Sequence, residues 1–341
     1  MKIRFLAIII LISTCSCVHK KATNQEFMLE QELLNDLIQV PDSIKVNDIV
    51  VLNLFKDQIL AHKNGQYDSL SIIEKVYKPH QKLWDSCYAM IFGEENASKF
   101  NTIEGMVNWN RTLYPQNIDL FNSRTKELLA INLDSVLNVN LERFNHIIDY
   151  KPSARISILF TPLFGIGFGG CSANQFCFEL NNTEFDVNYT LKYGVPHELN
   201  HLAYEPLRKN DPMFGTALAL AIDEGFACYF TWAFFDDKFS KYKAVEGMNE
   251  EDWNWYISHE KELYLKLKPY FEDKSGDNPL LNNSKHQLFP DAPKTLYYWL
   301  GFRIVENYVE KHGKNSWKDI YELNFKDVLI KSEYESYINS L

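Results

Sequence analysis

Apolar residues recur at helical spacing between charged ones over most of the first half of the chain. Residues 30–38, 67–78 and 133–148 predict amphipathic helices, and Pro79 ends the second of them. The pattern contains no internal repeat. We therefore predict a helical N-terminal region over residues 27–149.

The pattern changes near Tyr150. Residues 154–160 are β-branched and apolar, and residues 174–180 alternate as a strand does. The glycine-rich residues 164–170 contain the letters G-x-G-x-x-G, but a dinucleotide site needs a helix directly afterwards. They predict a loop or bulge between two strands. The fold class is therefore α+β and predominantly helical, with a small antiparallel or mixed sheet.

Residues 197–201 read His-Glu-Leu-Asn-His, and Pro196 marks the start of a helix there. Residues four apart share a helix face, so His197 and His201 can bind one ion. Glu198 lies one position round the helix and can reach a water on that ion. A di-iron bundle would need a second Glu-x-x-His element, which the chain lacks.

A second acidic motif, Asp223-Glu224-Gly225-Phe226-Ala227, follows an apolar run over residues 217–222. A carboxylate beside so apolar a stretch is costly to bury unless a cation pairs with it. Three protein ligands and one open position are typical of catalytic zinc. We predict a Zn²⁺ ion held by His197, His201 and Glu224.

A later helix is predicted over residues 296–309, and it contains Gly301. Glycine inside a helix costs about 1 kcal/mol relative to alanine, so a close packing contact or a functional reason is expected. Lys311, His312 and Gly313 give this helix a plausible C-terminal end.

The first 17 residues have the features of a lipoprotein signal peptide, with Lys2 and Arg4 ahead of an apolar run of eight residues. Cys15 is the predicted lipidation site, and Cys17 is its rival. Residues 18–26 predict a polar tether. The chain is therefore expected to be lipid-anchored in the cell envelope, outside the cytoplasm, in the periplasm or at the outer membrane of a bacterium.

The composition and net charge bear on which classes of partner the protein binds. Aromatic residues make up 14% of the 341 residues, as in a folded protein, and the formal net charge of −10 argues against a nucleic-acid partner. No nucleotide partner is expected either. Cys171 and Cys177 would be about 20 Å apart on one straight strand, so a disulfide between them needs a turn and stays open.

The motifs together resemble a family of predicted zinc-dependent proteases of the gluzincin type that includes bacterial lipoproteins. The resemblance rests on His197-Glu198-x-x-His201, on Glu224-Gly225-x-Ala227 and on the tyrosines before Gly301, and it covers roughly residues 150–315. It implies a zincin-like metallopeptidase domain over residues 150–341. The family's Asp four positions after the ligand glutamate is replaced by Cys228.

The resemblance implies hydrolysis of a peptide or protein substrate by a zinc-bound water. Glu198 would be the general base, and Tyr298 or its neighbour Tyr297 would stabilise the oxyanion. The alternative is a non-enzymatic metal-binding lipoprotein that serves as a binding or assembly component of the envelope. Glu198 is not a ligand, so its presence favours the enzyme.

Overall fold

Helices form most of the protein, and a small five-stranded sheet lies among them. The computed structural model describes residues 24–341 apart from residues 64, 65, 165, 173, 237 and 239. The predicted signal peptide, Cys15, Cys17 and most of the tether lie outside these residues. The chain divides into two compact units, Met1–Gln39 and Val40–Leu341, and every site discussed below belongs to the second unit.

Three helices of the second unit carry the predicted motifs. We call Val195–Arg208 the motif helix, Ala217–Phe234 the acidic helix and Leu296–His312 the tyrosine helix. The other α-helices of seven or more residues in the described part of the chain are Asn24–Gln39, Leu54–Leu60, Glu94–Asn101, Ile103–Gln116, Ile118–Leu129, Leu133–Ile147, Glu250–Leu267, Phe325–Ser332 and Tyr334–Ser340.

Shorter helical pieces connect these elements. The short α-helical pieces are Ser69–Ser71, Gln81–Leu83, Ala89–Ile91, Val187–Tyr189, Lys241–Ala244 and Asn283–His286. The π-helical pieces are Ile72–Tyr77, Trp84–Tyr88 and Thr190–Gly194, and the 3-10 pieces are Lys78–His80, Lys268–Tyr270 and Ser316–Glu322.

The sheet is mixed and places one strand at the edge beside the motifs. Its strands are β1 (Ser43–Val46), β2 (Ile49–Asn53), β3 (Ala154–Leu159), β4 (Phe168–Ser172) and β5 (Gln175–Glu179), in the order β1-β2-β3-β5-β4. The β2–β3 and β3–β5 pairs are parallel, whereas β1–β2 and β4–β5 are antiparallel. The glycine-rich β4 is therefore an edge strand.

The α+β class and the small mixed sheet are confirmed. β3 and β5 lie where the sequence predicts strands. The glycine-rich segment enters an additional strand, β4, at Phe168, and β4 contains a bulge between Gly170 and Ser172. The prediction missed β1 and β2, since two strands of four and five residues leave little alternation to detect. The boundary between residues 149 and 150 stays a prediction, although β2 pairs with β3 across it.

A fully buried carboxylate holds the start of the glycine-rich strand in place. Glu179, at the end of β5, accepts hydrogen bonds from the backbone N–H groups of Ile166 (3.2 Å) and Gly167 (2.9 Å) and from the hydroxyl of Tyr88 (3.3 Å). Each of these donors offsets part of the cost of burying the charge. β4 is thereby aligned next to the motif helix.

Two of the cysteines are free buried thiols, and a third is oxidised. Cys177 and Cys228 are free, and Cys87 is disulfide-bonded. Because Cys177 is free and accepts a hydrogen bond from Tyr88, the Cys171–Cys177 bridge that the sequence left open is not formed.

The acidic helix is long and apolar enough to cross a membrane by length and composition alone, and it is the one such helix among the described residues. However, 72% of it is buried inside the protein. It also carries Asp223 and Glu224 at its centre, which a lipid-facing helix would place at high cost. It is therefore a core helix of the second unit.

The acidic and tyrosine helices cross with their backbones in contact. A Cβ atom added at Gly301 would lie 1.6 Å from the carbonyl oxygen of Ala221, and one added at Gly225 would lie 2.1 Å from the carbonyl carbon of Gly301. No side chain of another residue type fits at either position. The glycine inside the predicted late helix therefore has a packing reason.

Gly301→Ala tests this crossing. We expect it to destabilise the protein by about 3 kcal/mol, because the added methyl group must separate two packed helices, which outweighs the better helix propensity of alanine. Urea unfolding of the purified protein measures the change. Glu310→Ala, at an exposed position of the same helix, is the control and should change stability by less than about 0.5 kcal/mol. Equal stabilities of the two variants would contradict the close contact.

Candidate metal centre

Two histidines and one glutamate bring their side-chain tips to a single point. The Nε2 atoms of His197 and His201 lie 3.0 Å apart, and each lies 3.2 Å from Oε2 of Glu224. Both histidines are more than nine-tenths buried, at 7% and 6% exposure. The three ligands that the sequence predicts for zinc are thus neighbours.

Local structure explains this arrangement. Pro196 lies in the first turn of the motif helix, and the spacing of four places both imidazoles on one face. Thr216 caps the start of the acidic helix, and its hydroxyl accepts a hydrogen bond from the backbone N–H of Ala219. Its contact with the motif helix turns Glu224 toward the two imidazoles.

The electrostatics of this triad favour a cation. Burial alone would lower the pKa of His201, but the carboxylates of Glu224 and Asp223 raise it well above its ordinary value. Burial likewise opposes the charge of Glu224, yet the two imidazoles hold the pKa of its carboxyl below its usual range. The centre therefore attracts positive charge, which a proton or a metal ion supplies.

The donor set fits zinc. Ligands at about 2.0–2.1 Å from a tetrahedral ion lie about 3.3 Å from one another. The separations of 3.0 to 3.2 Å among the three ligand atoms are close to that value. Two imidazole nitrogens and one carboxylate oxygen also form a ligand set that zinc commonly has in proteins.

Each histidine also has an acidic neighbour at its other ring nitrogen. Nδ1 of His201 lies 3.2 Å from Oδ1 of Asp223 and 3.8 Å from Oε1 of Glu205. Nδ1 of His197 lies 3.9 Å from both Sγ of Cys228 and Oε1 of Glu246. At 3.2 Å, Asp223 is within hydrogen-bonding distance and favours a proton on Nδ1 of His201, which leaves Nε2 free to bind a metal. Glu246 acts on His197 through its charge.

Glu246 is the partner that sequence reasoning missed. It lies in a turn after Lys241–Ala244, at φ 52°, a left-handed conformation that is unfavourable for a glutamate. No periodicity links this turn to the motif helix, and only the following Gly247 marks it as a turn. Asp223 contacts His201 although it is next to Glu224, because the second ring nitrogen of His201 points toward the acidic helix.

Glu198 and Tyr298 line the space beside the triad. Glu198 is 9% exposed, and burial raises the pKa of its carboxyl to about 7. The ring of Tyr298 lies 6.3 Å from that of His197, and Tyr298 lines a polar cleft of about 340 Å³ with Glu198 and Glu224. Tyr297 lines a different cavity, so Tyr298 is the tyrosine that faces the centre.

The motifs fall within a segment that matches a known family. Residues 185–336, a little under half of the chain, match the sequence model of a family described as gliding motility protein GldB. The search of curated proteins and the search of solved structures found no match.

This match corrects the functional predictions. The resemblance to gluzincin-type proteases is wrong, and so are the predictions of a zinc metallopeptidase, of hydrolase activity and of peptide-bond cleavage with Glu198 as general base, because the matching family is one of gliding motility proteins. The motif spacing specifies a ligand set, and a protein that does not hydrolyse peptides can keep the same set.

The predicted location is confirmed. The matching family is one of lipoproteins of the cell envelope, in agreement with a lipid-anchored position outside the cytoplasm. The identity of the lipidated residue, Cys15 or Cys17, stays a prediction.

Glu246→Ala tests the acidic contact at His197. We expect zinc affinity to fall by about 10- to 100-fold, because the proton on Nδ1 loses the charge that holds it there. Competition titration with a chromophoric chelator measures the affinity. Cys228→Asp in the same chain should restore most of the loss, since it places a carboxylate where Sγ already lies 3.9 Å from Nδ1.

The matched control is Glu272→Ala, which removes an exposed glutamate outside the centre. Its zinc affinity should equal that of the unaltered protein. A Glu246→Ala protein with unchanged affinity would show that Glu246 does not orient His197.

Proposed function

We propose that this protein is a non-enzymatic, metal-binding lipoprotein that acts as a binding or assembly component of a gliding motility apparatus in the cell envelope. The observation that carries the proposal is the position of the triad. His197, His201 and Glu224 all fall within the residues that match the gliding motility family. The partners would be other envelope proteins, and the lipid anchor would hold the chain at the membrane.

The proposed cofactor is Zn²⁺, bound by His197, His201 and Glu224. Bound there, the ion would link the motif helix to the acidic helix. Other residues of the chain position the three ligands. Asp223 and Glu246 orient the two imidazoles, and the Gly225–Gly301 contact fixes the helix that carries Glu224. The role is thus to hold a binding surface in shape.

We also propose that the fold is zincin-like. A motif helix with two histidines, an acidic helix with a third ligand and an edge strand beside them form a zincin-like arrangement. We take it to be a scaffold that this protein uses for binding. Tyr298 then contributes to the wall of the cleft.

His201→Ala tests the proposal in two ways. Purified protein should lose stoichiometric zinc, because two ligands rarely hold the ion that three hold. Cells whose own copy is replaced by this variant should lose gliding, measured as colony spreading and single-cell movement. His146→Ala, at an exposed histidine far from the triad in sequence, is the control and should retain both zinc and gliding.

A second experiment tests whether the protein hydrolyses peptides. Zinc-loaded protein incubated with a mixed peptide library should leave the library intact, as followed by mass spectrometry. Zinc-dependent cleavage that His201→Ala abolishes would contradict the proposal. So would normal gliding of cells that carry only the His201→Ala variant at normal protein levels.

A further inference from the structure

A cavity of about 500 Å³ opens beside the triad and is far larger than a metal centre needs. Four aromatic residues contribute to its wall: Phe168, Phe185, Tyr189 and Tyr193. Glu198 and Glu246 lie where this cavity meets the polar cleft, and both line the two spaces. The volume is within the range of cavities that bind ligands in proteins.

The residues of the aromatic wall pack closely on one another and on their neighbours. The rings of Tyr189 and Tyr193 lie 4.8 Å apart, and Tyr193 also contacts Phe235 at 4.9 Å. Phe168 packs so closely on Gly194 that a Cβ there would lie 2.8 Å from its ring. The wall is therefore held by packing contacts of its own, without a ligand.

The carboxylate at the inner end makes no hydrogen bond within the protein. Glu198 is nine-tenths buried, and no hydrogen bond joins its carboxylate to another group in the described part of the chain, although His197 and His201 lie close enough to act on its charge. Burial disfavours the charged form of this carboxylate, and a cation that entered the cavity would offset that cost. Gly169 leaves room in front of it, since a Cβ there would be 3.6 Å from Oε1 of Glu198.

Negative groups outnumber the positive ones around this space. Five carboxylates surround the triad and the cleft: Glu198, Glu205, Asp223, Glu224 and Glu246. When ionised, they outnumber the two charges of one divalent ion. Lys243 is the one lysine or arginine that lines either space in the described residues.

We infer that the cavity binds a basic side chain, an arginine or lysine, that a partner protein presents. The aliphatic stem would lie along the aromatic wall, where the rings also attract the cation. The charged end would lie between Glu198 and Glu246, and an arginine could donate to both. This inference rests on the proposed function, because it names the chemistry of the partner.

A pair of short peptides tests it. An acetylated and amidated pentapeptide with a central arginine is titrated into the zinc-loaded protein, followed by calorimetry or by NMR shifts. The matched peptide carries citrulline, which is neutral and almost the same shape. We expect saturable binding of the arginine peptide and binding of the citrulline peptide at least about tenfold weaker, as for the loss of one charged hydrogen bond.

Two variants locate the binding. Glu198→Gln should weaken the arginine peptide about tenfold and leave the citrulline peptide unchanged, because it removes the charge and keeps the shape. Tyr193→Leu should weaken both peptides by removing the aromatic surface. Bound zinc, measured in parallel, should be the same in both variants and so reports that each is folded.

Three outcomes would overturn the inference: equal affinity for the two peptides, no binding of the arginine peptide, or equally tight binding of free arginine amide, which would make the occupant a small molecule. Each leaves the proposed function intact if zinc and gliding still depend on His201. Conversely, gliding without zinc combined with selective arginine binding would overturn the proposed function alone.

Discussion

The backbone contact between Gly225 and Gly301 is the constraint on which the rest of the centre depends. It allows the acidic and tyrosine helices to approach until a Cβ at Gly301 would meet the carbonyl of Ala221 at 1.6 Å. Glu224 precedes the first glycine, and Tyr298 lies one helical turn before the second. A single steric contact therefore sets where the carboxylate ligand and the tyrosine ring lie relative to each other.

The parts of the centre that could be predicted lie on single helices. His197 and His201 share a face because of their spacing, and Glu224 stands out as a charge within an apolar run. Glu246 and the aromatic wall could not be predicted, since they come from turns, from β4 and from the short helical pieces before the motif helix, and no periodicity relates these segments to one another. The same reason hid β2, whose pairing with β3 joins residues about a hundred positions apart.

The wrong prediction of peptide hydrolysis arose from the interpretation of Glu198. Next to a metal, a buried carboxylate can accept a proton from a water, or it can accept a cation from a partner, and both uses need the same burial and the same lack of an internal donor. The sequence shows the carboxylate but not what enters the space before it. The aromatic wall, which only the fold assembles, is what distinguishes a basic side chain from a water molecule there.

Charge links the metal to the proposed partner. The ion and a basic side chain would both be attracted by the same group of carboxylates, and two cations close together repel each other. The metal ion and the basic side chain would nevertheless bind different carboxylates. Glu224 faces the two Nε2 atoms, whereas Glu198 faces the cavity. Glu246 belongs to both, because it lies 3.9 Å from His197 and also lines the cavity. A change in the contacts of Glu246 would therefore change binding at both the metal site and the cavity. The strained turn that carries Glu246 thus couples the two sites.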